Sequence, residues 1–323
     1  MNQEKNKKLD ALIFIDTNIY LDFYRIRKAN VSMNYLQEID KHKALIITGS
    51  QVEMEFKNHR QDAILESISG VNKNITINLS VPAILSDVKD VEMIRKSKKG
   101  IEEHQKRLKQ RIERILKNPN CDPVYKSLQK LFKFNSSINL NREKKNRYAI
   151  RKLALKRFLL GYPPKKKSDN SIGDAVNWEW ILDCAKNTGK HIIIVTRDSD
   201  YGTKYNEDYY LNDWLSQEFK QRISQKRKLF ITDKLGVAFK LVNIQVTKEM
   251  IEEEEKVIGE SSLNYALRTT QDSIRLMKET INLDELQKTQ NYWRNLGKMY
   301  GSYIKNLQFP SKNLNLSDEK VEN

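Results

Sequence analysis

Hydrophobic positions in this chain fall into short runs that stop abruptly on polar residues. Leu12-Ile13-Phe14-Ile15 runs straight into Asp16-Thr17-Asn18, and Ala44 to Thr48 ends on Gly49-Ser50. His191 to Thr196, the most strand-like run, ends on Arg197-Asp198-Ser199-Asp200, and Leu229 to Thr232 forms a last short one. Runs of this length bounded by turn residues suit buried strands. Helical spacing fills the gaps: Asn18 to Lys28, Met33 to His42, Ser50 toward Ser69, Asp174 to Asn187 and Gly236 to Leu241. In the fourth of these, Trp178, Ile181, Leu182 and Ala185 share one apolar side. Ile75 to Leu79 alternates and predicts a further strand. Strands that alternate with helices predict a parallel sheet covered on both faces.

From about Asp87 to Leu160 the pattern changes to long helical periodicity with dense basic residues, broken at Pro119 to Pro123. It predicts two helical arms joined by a turn. Gly161-Tyr162-Pro163-Pro164-Lys165-Lys166-Lys167 is a loop by composition. Beyond about Thr247 the chain is polar and helical, with the acidic run Glu252 to Glu255 and the aromatics Tyr292, Trp293, Tyr300 and Tyr303. Four parts follow: residues 1–86 and 161–245 as halves of one α/β domain, 87–160 as a basic helical insertion, and 246–323 as a helical extension.

At 323 residues and 38.0 kDa the chain has room for a full core. Its 39% hydrophobic and 31% charged residues fit a soluble protein, and the apolar runs are too short to span a bilayer. Lys5, Lys7 and Lys8 precede only a five-residue apolar run, too short for a signal-peptide core, so a cytoplasmic location is expected. Cys121 and Cys184 show no Cys-x-x-Cys spacing, and the four histidines form no His-x-x-x-His pair. That leaves carboxylates to carry any chemistry. The formal charge of +16 and pI near 9.5 point to a polyanion partner, with nucleic acid the leading candidate.

Parallel strands point their C-terminal ends at one rim, which brings Asp16 and Asp198 together despite their distance in sequence. Glu55 lies beside the apolar stripe of its helix, whereas Glu53 is explained by a capping box with Ser50. Asp174 opens the helix after the lysine loop, where Ser171-Ile172-Gly173-Asp174 also fits a capping box, so its role stays open between cap and site. Several acids on one rim repel unless a cation sits between them. Hard divalent ions fill that role with oxygen ligands, and beside a basic surface they suggest metal-assisted phosphodiester hydrolysis. Arg197 and Lys165, Lys166 and Lys167 lie where they could hold substrate phosphates.

Four stretches carry a resemblance: LIFIDTNIYLDFY, Val52-Glu53-Met54-Glu55-Phe56, Ser171-Ile172-Gly173-Asp174-Ala175-Val176-Asn177-Trp178 and Ile194-Val195-Thr196-Arg197-Asp198-Ser199-Asp200-Tyr201. Together they resemble a PIN-like nuclease domain of the larger bacterial branch with a long helical insertion, over roughly residues 10 to 245. The resemblance implies a three-layer α/β/α sandwich on a central parallel sheet, and a magnesium- or manganese-dependent nuclease that acts on RNA in preference to DNA. It assigns Asp16, Glu55, Asp174 and Asp198 as catalytic and metal-holding acids, Asp200 as a further metal contact, and Thr17, Asn18 and Thr196 as supports.

Rival readings stay open at the level of sequence. One is a catalytically silent nucleic-acid-binding protein with the same fold. A second is a toxin-like or antiviral effector held by a protein partner, or by self-association, through the C-terminal helices. A third is a phosphohydrolase of small phosphate compounds.

Overall fold

The computed structural model describes residues 8–68, 80–85, 88–165, 171–206, 208–260 and 294–295. The chain divides into two compact units, Met1–Gly259 and Glu260–Asn323. The sheet and the helices that flank it belong to the first. The predicted strand at Ile75 to Leu79, residues Lys166 and Lys167, and nearly all of the C-terminal extension lie outside the described residues.

The first strand, β1 (Ala11–Ile15), is buried throughout. Asp16 then caps helix α1 (Thr17–Leu21), which tightens into a 3-10 turn over Asp22–Tyr24. The single helix expected from Asn18 to Lys28 is therefore broken. Asp22 accounts for the break: its carbonyl accepts from the Arg25 and Ile26 amides, and its carboxylate pairs with Arg25 at 3.0 Å and with Arg197. Helix α2 (Ala29–Lys41) restarts the chain and leads to β2 (Ile46–Gly49).

Helix α3 (Ser50–Ser67) buries Val52, Phe56, Arg60, Ala63 and Ile64, one face at helical spacing. Its cap position is Gly49 without a side-chain bond, so the Ser50/Glu53 capping box does not form. Glu53 pairs instead with Lys57 at 2.6 Å, one turn on. Helix α4 (Lys89–Lys117) is the long basic arm, and Val91 is its one buried residue. Helix α5 (Pro123–Phe132) follows, with Pro123 in its first turn and Asp122 as cap.

The stretch 87–160 is not purely helical. Asn139–Leu140 forms β3, which pairs in parallel with β2. Leu128, Leu131 and Phe132 of α5, and Ile150 and Ala154 of helix α6 (Arg147–Leu159), join the central core. Only α4 projects as an arm of its own. A two-residue strand carries too little periodicity to be seen in sequence.

Helix α7 (Gly173–Thr188) is covered on nearly every side, and it leads through Gly189, in left-handed conformation, to β4 (His191–Val195). An antiparallel hairpin, β5 (Gly202–Tyr205) and β6 (Asp208–Leu211), comes next and has no counterpart among the expected elements. Helix α8 (Asp213–Arg222), strand β7 (Leu229–Thr232), helix α9 (Leu235–Leu241) and a helix from 248 onward complete the unit. The five-stranded sheet runs β3-β2-β1-β4-β7, parallel at every pairing. With helices on its faces this is the expected α/β/α fold.

Two buried charge hubs fix the helices that matter. Asp122 accepts from the Tyr24 hydroxyl at 2.6 Å, from Arg60 at 2.7 Å and from the Val124 and Tyr125 amides, while Arg60 also donates to the Ile115 carbonyl. That hub joins α3 to the end of α4 and the start of α5. Arg157 of α6 reaches Glu179 of α7 at 2.8 Å, Glu218 of α8 and the Pro163 carbonyl at 2.6 Å, and Trp178 donates to Glu218 at 2.9 Å. Removal of Arg157 strands Glu179 as a buried, half-partnered charge. Arg157→Met is expected to lower stability by about 3–5 kcal/mol in urea unfolding, against less than about 0.5 kcal/mol for Lys96→Ala on exposed α4.

Candidate active site

In this sheet order the chain leaves β1 for β2 on one side and returns to β4 on the other, so the crevice between β1 and β4 is the switch point where open α/β sheets bind ligands. The register pairs Ile15 with Val195. Asp16 and Thr196 therefore follow the two strand ends side by side.

Asp16 is 4% exposed, and three donors fix its carboxylate. The Thr17 amide reaches Oδ1 at 2.7 Å, while Asn18 Nδ2 at 3.0 Å and the Thr196 hydroxyl at 2.6 Å reach Oδ2. Thr196 Oγ1 in turn accepts from the Asp198 amide at 3.0 Å. One threonine thus ties the loop of the late acid to the first acid. Thr17 serves a second acid as well: its hydroxyl donates to Glu55 Oε2 at 2.9 Å, and Gln51 Nε2 holds Oε1 at 2.6 Å.

Asp174 enters from α7, whose start touches Glu55. A Cβ added at Gly173 would lie 2.4 Å from Glu55 Oε1 and 2.7 Å from Gln51 Nε2. Glycine is what lets that helix approach so closely. The Ser171/Asp174 box is not the observed cap: Ile172 occupies the cap position, and Ser171 Oγ accepts from the Gly173 amide. Tyr201, fully buried, links the set. Its hydroxyl donates to the Asp174 carbonyl at 3.4 Å, and burial, then the charges of Asp174, Asp16, Glu55 and Asp198, hold it protonated well above the usual phenol range. All four acids lie within electrostatic reach of one hydroxyl.

Their mutual repulsion is felt in Asp16, whose carboxyl is pushed up to about 7, first by burial, then by Asp198, with Glu55 adding to it. The Thr196 and Thr17 hydrogen bonds offset part of that rise.

A family model for the PIN domain matches residues 13–201. The chain belongs to the PIN domain family. PIN domains are generally metal-dependent nucleases, which agrees with an all-oxygen donor set at the switch point. No curated protein and no solved structure matches the chain.

Among the described residues no three acids, histidines or cysteines lie close enough together, as placed, to hold a metal ion. The donors of this PIN domain nonetheless fit a hard divalent ion. They are oxygens only, Asp16 Oδ1 keeps a lone pair beside its single amide bond, and Asp198 and Glu55 add to the rise that burial gives Asp16.

Other expected residues fall differently. Asp200 is half-buried just past Asp198. Arg197 pairs with Asp22 on the flank of α1, so its guanidinium braces the loop and is already partly neutralised. Lys165 points its ammonium over the Phe158 ring, 4.6 Å from the centroid. Gln51, Gly173, Tyr201 and Tyr209 are parts of the site that sequence reasoning missed. A glycine directly before Asp174 and a tyrosine three residues past Asp198 were the available signals. Among the described residues no helix is long and apolar enough to cross a membrane.

With a folded pKa near 7 and an unfolded value near 3.8, Asp16 keeps its proton in the native state over a window where the unfolded chain has lost it. Native protein then binds more protons, so stability falls as pH rises from about 4 to about 7. The cost at pH 8 is on the order of 4 kcal/mol at most. Urea unfolding in chelator should show Asp16→Asn losing less stability between pH 5 and pH 8 than wild type, and added magnesium should recover the wild-type loss. Equal pH slopes for the two proteins would contradict this.

Proposed function

We propose that this PIN domain protein is a nuclease that hydrolyses phosphodiester bonds with magnesium or manganese held by Asp16, Glu55, Asp174 and Asp198, and that it takes RNA in preference to DNA. The observation that supports the reading is Asp16 at the β1/β4 switch point, where burial and then Asp198 and Glu55 raise its carboxyl, with all four acids acting on the Tyr201 hydroxyl. The bound ion supplies polarisation of the phosphate and acidification of a water. RNA rests on the family resemblance; a cytoplasmic setting is proposed on the two free cysteines.

The chain's own residues orient the acids. Thr17 and Thr196 hold Asp16 from its two sides, and through their second bonds they fix Glu55 and the Asp198 loop relative to it. Such supports cut the reorganisation needed when substrate arrives. Asp200, two residues beyond Asp198, is proposed as a further contact to the ion. The +16 charge supports binding of a polyanion. The lysine loop before α7 is proposed to contact phosphates flanking the scissile one, with Lys165 released from Phe158.

The test is cleavage of single- and double-stranded RNA and DNA with magnesium, manganese or chelator. Metal-dependent cutting is expected, with Asp16→Asn and Asp198→Asn each at least ~100-fold slower. Gly173→Ala should fold, since the new methyl meets only side-chain ends, yet lose activity ~10-fold or more by displacing Glu55. Absence of cutting on every substrate, or cutting that survives Asp16→Asn, would refute the nuclease.

A further inference from the structure

The hairpin β5–β6 begins two residues after Asp200, and its two faces differ. On the inner face, Gly202 pairs with Leu211 and Lys204 with Tyr209. Tyr209 donates its hydroxyl to the Asp198 carbonyl at 3.0 Å, and Lys204 pairs with Asp233 at 2.6 Å. Gly202 lets the two strands of the hairpin lie close to each other, because a Cβ there would clash with the Tyr210 carbonyl oxygen. Burial, then Asp198, Asp233, Asp16 and Asp200, push the Tyr209 phenol up to about 12. The inner face is therefore fastened directly to the acidic rim.

The outer face carries Thr203 opposite Tyr210 and Tyr205 opposite Asp208. Tyr205 and Tyr210 are diagonal neighbours on it, 69% and 55% exposed. Diagonal neighbours are within reach of long side chains, and among the described residues neither ring packs on another aromatic ring. A further pair of exposed rings follows in the chain. Asn212 caps α8, whose Trp214 is 48% exposed and lies 5.1 Å, centroid to centroid, from Tyr162, 40% exposed, in the loop that leads to α7. Isolated exposed rings need no explanation. Two lie on the free face of a hairpin pinned to the acidic rim, and an exposed ring pair is carried by the next helix and the loop before α7.

We infer that the outer face of the β5–β6 hairpin, with Tyr205 and Tyr210, is a stacking platform for unpaired nucleobases, a binding subsite outside the acidic rim. A base inside a duplex has both faces covered by its neighbours, whereas an unpaired base can stack on a tyrosine ring. Tyr209 ties the hairpin to the Asp198 loop, so a base held on Tyr205 or Tyr210 lies on the same hairpin that borders the acids. The inference rests on the nuclease reading for the identity of the ligand and adds to it a base-binding subsite.

The experiment uses the full chain carrying Asp16→Asn, in chelator, with short RNA and DNA oligonucleotides that contain 2-aminopurine, each single-stranded or annealed. Single strands are expected to bind more tightly than duplexes and to show quenched fluorescence. Tyr205→Ala with Tyr210→Ala should weaken single-strand binding ~5- to 50-fold and abolish the quench, with duplex binding unchanged. Tyr205→Phe with Tyr210→Phe should restore both, because the ring and not the hydroxyl does the stacking. Equal affinity for RNA and DNA fits stacking alone, and tighter RNA binding adds a contact to the 2′-hydroxyl; both support the platform. Cleavage by the protein with Asp16 intact is measured beside it. If that protein cuts while the tyrosine-to-alanine pair leaves affinity and strand preference unchanged, the platform is wrong and the nuclease stands. Ring-dependent binding without any cutting keeps the platform and removes the nuclease. No binding of either strand form overturns the platform outright.

Discussion

Repulsion among carboxylates at one sheet edge is the constraint to which the rest of this protein answers. Asp16 sits in the crevice where β1 and β4 part, too deep for water to screen it, with Asp198 and Glu55 near enough to oppose its ionisation. Holding these groups together without a cation requires donors on the carboxylates and rigid elements behind them. The threonines at the two strand ends provide the donors. The helices that deliver Glu55 and Asp174 are clamped in turn by Arg60 with Asp122 and by Arg157 with Glu179 and Glu218. The buried ion pairs thus serve the acids from a distance, through helix placement and not through contact.

The site is built largely from residues that hold two partners at once. Thr17 uses its backbone for Asp16 and its hydroxyl for Glu55; Thr196 donates to Asp16 and accepts from the Asp198 amide. Tyr209 ties the hairpin to the same loop, and Tyr201 meets α7. Movement of one acid is therefore felt by the others through paths of one or two hydrogen bonds.

Much of this was legible in the sequence for a physical reason. Buried parallel strands have to be apolar and short, so β1, β2, β4 and β7 announced themselves, and acids directly past such strands have only one rim to occupy. The features that escaped are set by tertiary contact and not by local pattern. β3 is two residues that become a strand only because β2 offers its edge. The helix at Asn18 breaks because Arg197, far off in sequence, claims Asp22. The serine caps at Ser50 and Ser171 fail because Gly49 and Ile172 take the cap positions. Arg197 had the chemistry of a phosphate contact, and only the fold shows that a carboxylate holds it.

The short β3 also bears on how the protein behaves at high concentration and how it can be altered. A sheet that ended on β2 would present a strand with unpaired backbone groups, a template for pairing with another chain. β3 closes that edge with two residues, too few to serve as a template themselves, and the Trp180 indole caps the neighbouring Thr48 and Ile138 carbonyls. The segment that carries the basic arm thus also carries the sheet's guard against self-association, so lineages or engineers that reshape the arm are free to do so only between the ends of α4.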